Sequence, residues 1–304
     1  MTLLLPLAVS AQETNKDTLV LGVRADAPPF SSKSADSAGG YQGFSVSLCR
    51  QIAERAVKEG LYCGSRFVEV NASDRFDKLI AGDIHLLCGA TTVTLERSRA
   101  VDFSLLTFIS GASIMYRDPL AIPESRANGG FRIGVLQGTT TEDTARQIFK
   151  NYRTEQGDTG EAMTTPVVEQ VKDHLSGLKK LRDGDIDVYL ADREILLALQ
   201  QYPESSGQKE KPVKLTVSNR YFTIEPYALG INAGNRELRF VANQVLSELY
   251  DWETDKKLPM GIFSILNRNF DNRLYSKSLE YLYRIQRLPA GIPLIGPQTK
   301  KDCS

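Results

Sequence analysis

The chain is poor in the residues that carry most metal and acid-base chemistry. Its 304 residues include two histidines, four cysteines and one tryptophan. Neither His85 nor His174 has a His, Cys or carboxylate at metal-ligand spacing, and the cysteines match no zinc pattern, so no metal site is expected. An excess of one charge is also missing. Lys plus Arg and Asp plus Glu are 37 each, a net charge of 0, and this lacks the basic surplus that neutralises nucleic-acid phosphates; no nucleic-acid partner is expected. No apolar run approaches the ~20 residues of a spanning helix, so the mature protein is expected to be soluble. The G-x-S-x-G elbow, the G-x-x-x-x-G-K-[ST] loop and the G-x-G-x-x-G turn are all absent, and the hydrolase, NTPase and dinucleotide readings lose their usual support. No cofactor is expected.

What is present is ordinary globular material, 41% hydrophobic and 24% charged, in a chain long enough for two modest domains. Residues 1–11, MTLLLPLAVSA, form a short apolar run. Its small residues Val9 and Ala11 suit signal peptidase cleavage before Gln12, so it reads as a signal-peptide remnant without its basic start. Export to an oxidising compartment would let Cys49, Cys63, Cys88 and Cys303 pair in any of three ways. Cys49 lies on an apolar helical stripe and Cys88 ends an apolar strand. Buried thiols and a bridge among the first three cysteines both fit that pattern. Cys303 sits in a tail and is given no role.

Periodicity predicts strands at 18–23, 66–70, 84–88 and 101–103 with helices at 44–59 and 75–81 between them, an order that implies a mainly parallel sheet flanked by helices. A second series follows, with strands at 132–136, 166–169 and 188–191 and helices at 142–152, 174–183 and 193–200. Residues 116–130, rich in Pro, Asn and Gly, read as the linker. Strands at 213–217 and 227–231 and a helix at 236–253 then imply that the chain returns to its first half. Pro289, Pro293 and Pro297 make 288–304 an extended tail.

Open α/β sheets bind ligands in loops at the carboxyl ends of their strands. Here those loops hold Arg24-Ala25-Asp26-Ala27-Pro28-Pro29-Phe30, Ser73-Asp74-Arg75 and Gly89 through Arg97 with Ala90, Thr92 and Thr94. A single arginine is ordinarily a solvated surface group. Three arginines in neighbouring loops, with threonine hydroxyls beside them, suit a carboxylate, which a guanidinium grips with paired charge-assisted hydrogen bonds. The turn GVLQGTTTED at 134–143 joins a strand to a helix and could hold an anion, although a plain capped turn looks the same.

The segments GVRADAPPF (22–30), GYQGFSVSLC (40–49), GATTVTLERSRAVDFS (89–104) and VLQGTTTED (135–143) resemble the family 3 extracellular solute-binding proteins, and within them the glutamate/aspartate-binding branch. The resemblance runs over about 18–252. It implies a two-lobed, type II periplasmic binding protein fold of class α/β, with two hinge strands. The first lobe would be discontinuous (18–115 and 222–287) and the second would span 116–221. It further implies that Arg97 meets a ligand α-carboxylate, helped by Thr92, Thr139 and Thr140. Asp192 would hold the ammonium with the Ala90 carbonyl, and Arg24 and Arg75, with His174 near by, would hold a side-chain carboxylate. Asp192 could equally cap a helix, and His174 could simply open one. The implied protein is a monomeric, non-enzymatic periplasmic receptor for glutamate or aspartate that serves an inner-membrane ABC permease. The alternative is a cyclohexadienyl (prephenate or arogenate) dehydratase-like enzyme on the same scaffold, for which Asp26, Asp74 and Glu225 are acid-base candidates. Three departures stand out: the missing basic start, Ala90 where a hydroxyl residue is common, and the long stretch 258–304, expected to wrap the first lobe.

Overall fold

A computed structural model describes residues 18–120, 131–155, 166–203, 213–251, 261–270 and 277–287. The expectations for 1–11, 121–130 and 288–304, and for Cys303, lie outside the described residues.

The first half runs through β1 (Thr18–Val23), the small hairpin strands β2 (Asp26–Ala27), β3 (Ser31–Lys33) and β4 (Tyr41–Gln42), helix α1 (Phe44–Lys58), β5 (Gly64–Glu69), α2 (Arg75–Ala81), β6 (Leu86–Cys88) and β7 (Asp102–Ser110). The second half runs through β8 (Ala112–Arg117), β9 (Arg132–Leu136), α3 (Thr140–Glu155), β10 (Val167–Val171), α4 (His174–Asp183), β11 (Val188–Asp192), α5 (Arg193–Gln200) and β12 (Leu215–Val217). Then come β13 (Glu225–Ile231), α6 (Arg236–Tyr250), α7 (Ile262–Asn269) and α8 (Lys277–Gln286). β1 is buried from Leu19 to Val23, as a strand covered by helices on both faces must be.

Two five-stranded sheets result, ordered β5-β1-β6-β13-β7 and β10-β9-β11-β8-β12. In each sheet the first three strands are parallel and the fourth is antiparallel to both its neighbours, so four of five strands point one way. The odd strand in each sheet is the one that arrives from the other sheet.

The chain crosses between the sheets at Gly111 and again between β12 and β13, ahead of the boundary expected at 116. Residues 102–117 are one long strand passage interrupted at this glycine, so β8 already pairs with β11. A Cβ on Gly111 would lie 2.2 Å from the Thr223 carbonyl oxygen, and the two crossings therefore touch backbone to backbone. β7 accordingly extends the expected 101–103 strand to Ser110.

The C-terminal stretch contains two helices that the sequence reading did not foresee, and both pack on the first sheet. Phe270, at the end of α7, stacks on Phe108 at 5.2 Å, and the Tyr283 hydroxyl on α8 donates to the Thr107 carbonyl at 2.9 Å. Cys49 on α1 is bridged to Cys88 on β6, and Cys63 is also disulfide-bonded. No described helix is long and apolar enough to cross a membrane, and no described residues form a metal-binding group.

Candidate functional site

The carboxyl ends of β1 and β6 and the start of α2 face the start of α3, the start of α4 and the end of β11. Arg24 follows β1 and is 2% exposed. Its backbone is fixed by Ser31, which accepts from the Arg24 N–H and donates to the Arg24 carbonyl, both at 2.9 Å. The Arg24 side chain meets Asp26, whose Oδ1 lies 2.8 Å from Nε and 2.7 Å from Nη2. Arg75 opens α2, is also buried, and donates from Nη2 to the Gly138 carbonyl across the cleft at 3.3 Å. Its Nε is buried without a hydrogen-bond partner. Arg97 donates to the Thr92 carbonyl at 2.9 Å. The ring of Phe76 lies between the last two arginines, 5.2 Å from the Arg75 guanidinium carbon and 4.8 Å from that of Arg97.

Burial, reinforced by the neighbouring cations Arg24 and Arg97, pulls the Arg75 pKa well below the usual arginine range. Burial also lowers that of Arg97, with Glu225, Asp143 and Asp192 opposing the shift. Guanidinium groups stay protonated in proteins. Such shifts therefore mark positive charge held where an anion would relieve it.

The facing wall is pressed close. Gly138 adopts φ +75°, and a Cβ there would lie 2.8 Å from the Ala72 carbonyl oxygen. The Thr139 hydroxyl donates to the Leu136 carbonyl at 2.6 Å, and that of Thr140 reaches across to Glu225 at 2.9 Å. These residues start the long helix α3, whose first N–H groups favour an anion. His174 is buried, its Nδ1 lies 2.8 Å from the Tyr189 hydroxyl, and its backbone N–H donates to Asp26 Oδ2 at 3.1 Å. Burial, with Arg24 and Arg75 near by, pushes its pKa down to about 4, so the imidazole is neutral at pH 7.

Asp192 stands at the start of α5, yet its side chain makes no capping hydrogen bond. The helix-cap alternative is therefore excluded. One oxygen accepts from the Tyr227 hydroxyl, while Oδ1 is buried without a partner. Burial pushes its pKa up to about 7, against the pull of the Tyr227 hydrogen bond and with Glu225 and Glu194 adding to the rise. An orphaned acceptor opposite orphaned donors is a costly arrangement that a zwitterion would satisfy.

These groups line a cleft whose open space, counted together with the solvent at its mouth, is about 340 Å³. All nine residues named from the sequence line it (Arg24, Arg75, Ala90, Thr92, Arg97, Thr139, Thr140, His174 and Asp192), and Thr141, Ala191 and Ile195 complete it. The acid-base candidates are placed otherwise. Asp26 is tied to Arg24 and His174, Asp74 pairs with Lys78 at 2.7 Å, and Glu225 accepts from Thr140 and Thr223; none of the three is a lining residue. The sequence reading missed Tyr227 as the partner of Asp192 and Phe76 as the separator of two arginines. Phe76 was within reach, because it follows Arg75 directly. Tyr227 has no local signature, since its partner lies on another strand.

The family model of the bacterial extracellular solute-binding proteins, family 3, matches residues 19–259. The ABC transporter glutamine-binding protein GlnH of Bacillus subtilis is 26% identical over 250 residues, which cover 79% of this chain and 82% of that protein. The L-glutamate/L-aspartate-binding protein of Pseudomonas aeruginosa is 24% identical over 266 residues, 83% of this chain and 81% of that protein. Among solved structures, an ancestral arginine-binding protein bound to glutamine superposes with a TM-score of 0.63 at 23% sequence identity, over 84% of this chain and 98% of that one. That likeness is one of fold.

Proposed function

This chain belongs to the bacterial extracellular solute-binding proteins, family 3, and from that premise we propose that it captures a dicarboxylic amino acid, glutamate or aspartate, for an inner-membrane ABC importer. Its two-lobed α/β fold is that of the type II periplasmic binding proteins. The proposed cycle is hinge closure about Gly111 and the segment between β12 and β13, the two places where the chain passes between sheets. In this reading the protein is an exported periplasmic monomer that makes and breaks no bonds.

The observation that carries the reading is the surplus of cations on one wall. An α-amino acid needs one guanidinium for its α-carboxylate and one carboxylate for its ammonium, roles that suit Arg97 and Asp192. Arg75 is then left buried, with an unpartnered Nε, beside Arg24. Breaking up a buried charge pair costs about 3 to 5 kcal/mol, so a neutral side chain at Arg75 would be strongly disfavoured. The relatives named for glutamine and arginine bear on this point, because the scaffold accommodates ligands of different charge.

A thermal-shift screen against the common amino acids, followed by calorimetry on those that act, tests the reading. A ligand that binds only the folded state raises the melting temperature. Glutamate or aspartate is expected to do so, and glutamine and arginine are not. Stabilisation by glutamine or arginine without stabilisation by the two acids would overturn the proposal.

A further inference from the structure

One carboxylate at the cleft has no part in the reading above, and its geometry bears on what charge the ligand side chain carries. Asp26 sits between the walls with both oxygens engaged. Oδ1 lies against Nε and Nη2 of Arg24 at 2.8 and 2.7 Å, and Oδ2 accepts the backbone N–H of His174 at the start of α4 at 3.1 Å. Its side chain is 15% exposed, and that of Arg24 only 2%. The charge of Arg24 is therefore offset from within the protein, although its Nη2 is buried without a hydrogen-bond partner, whereas Arg75 has no ion-pair partner among the described residues. The imidazole of His174, against which Tyr189 rests, is neutral and adds no charge. Burial alone would raise the Asp26 pKa, but Arg24 and the His174 region outweigh it and hold the group below the ordinary aspartate value; it remains ionised.

Resting on the glutamate/aspartate reading, we propose that Asp26 is a specificity-determining residue that sets the side-chain subsite to accept a single negative charge. The ligand class is then the α-amino acids whose side chain ends in a singly charged acid group, whether carboxylate, sulfinate or sulfonate. The doubly charged phosphate esters of similar length are excluded. A second negative charge at this place would find the charge of Arg24 already offset by Asp26 and would be repelled by that carboxylate, which lies against Arg24 just behind the cavity wall.

The test compares purified full-length protein with Asp26→Asn, a substitution of equal size that keeps an oxygen acceptor and removes the charge. Calorimetry at pH 8 would use L-glutamate, L-homocysteate and O-phospho-L-serine, the last doubly charged at that pH because the second phosphate ionisation falls near ~6. Wild-type protein is expected to bind glutamate and homocysteate and to reject phosphoserine. In Asp26→Asn the ratio of phosphoserine to glutamate affinity should rise by at least about tenfold. An unchanged ratio with glutamate binding intact overturns this inference and leaves the receptor reading standing. Wild-type protein that binds neither acid overturns both. Should Asp26→Asn fail to fold, Asp26→Ser carries the same comparison, because the ratio and not the stability is what is read.

Discussion

The two walls of the cleft are built on sheets of the same strand order, yet they are chemically opposite. The first presents Arg24, Arg75 and Arg97; the second presents the hydroxyls of Thr139 and Thr140, the neutral ring of His174 and the half-ionised Asp192. On the proposed reading, topology fixes where the ligand sits, and the loops decide its charge. The difference also assigns an order to capture. An anion arriving at separated walls would be drawn to the arginines of the first, and the second would complete the site by hydrogen bonds as the lobes close.

The sharpest way to break this division is to remove the first-wall cation assigned to the α-carboxylate. Arg97→Met leaves an α-carboxylate buried without its partner and is expected to weaken glutamate binding by about 100- to 1000-fold, the equivalent of about 3 to 4 kcal/mol. The ligand-free protein should not be destabilised in proportion, because Arg97 is one of the cations that disfavour the charge on Arg75. Calorimetry and melting of the ligand-free variant would separate the two effects. A variant that binds glutamate within tenfold of wild type would show that the first wall is not the anion receptor.

The second wall should announce itself through pH. Burial holds Asp192 protonated up to about pH 7, but an ammonium is gripped by the ionised carboxylate. Below that pH, binding must expel the proton, and affinity should fall by up to about tenfold for each unit of acidification. Above about pH 8 it should be flat. Within this window His174, with its pKa near 4, does not titrate, and the arginines do not either. In the ligand-free protein the same raised pKa has the opposite sense. The folded state keeps a proton that the unfolded chain loses near the ordinary aspartate value of 3.8, so this group's contribution to stability is present below that pH and is lost as pH rises towards about 7. Calorimetry at pH 5.5 in two buffers of different ionisation enthalpy measures the released proton. Affinity that is constant between pH 5.5 and 8 would remove Asp192 from the ammonium role.

What the sequence made legible follows the same division. Helices at 75–81, 174–183 and 193–200 have the expected limits because each carries its own local marks: a buried apolar stripe in α4 and α5, and a closing glycine in α2 and α4. The nine lining residues were legible through motif resemblance and loop position. What escaped was either non-local or lacked a local boundary mark. The passage through β7 and β8 offers no alternation from which to place a boundary, and only the missing Cβ of Gly111 marks it. Asp26 is only an acid-base candidate from the sequence, because nothing there tells that α4 approaches it from a position 148 residues away.

The smallest expected effect on binding comes from the covalent staple of the first wall. Cys49 and Cys88 are joined across 39 residues of sequence, whereas 112–221 contains no cysteine at all. Closing a loop of that length contributes about 2 to 4 kcal/mol of stability, so Cys49→Ala with Cys88→Ala should lower the melting temperature by about 5 to 15 °C in a protein of this size. Affinity for glutamate should change by less than about threefold. The loop after β6 is held independently of the bridge: the Ser45 hydroxyl donates to the Gly89 carbonyl at 3.0 Å, Ala228 N–H donates to the Thr91 carbonyl at 3.1 Å, and Val93 N–H donates to that of Pro226 at 2.8 Å. A large loss of affinity in the double variant would mean that these hydrogen bonds do not suffice to aim Thr92 and Arg97. The first wall would then owe its preorganisation to the bridge and not to its backbone network, and reduction of the protein would abolish binding before it abolished folding.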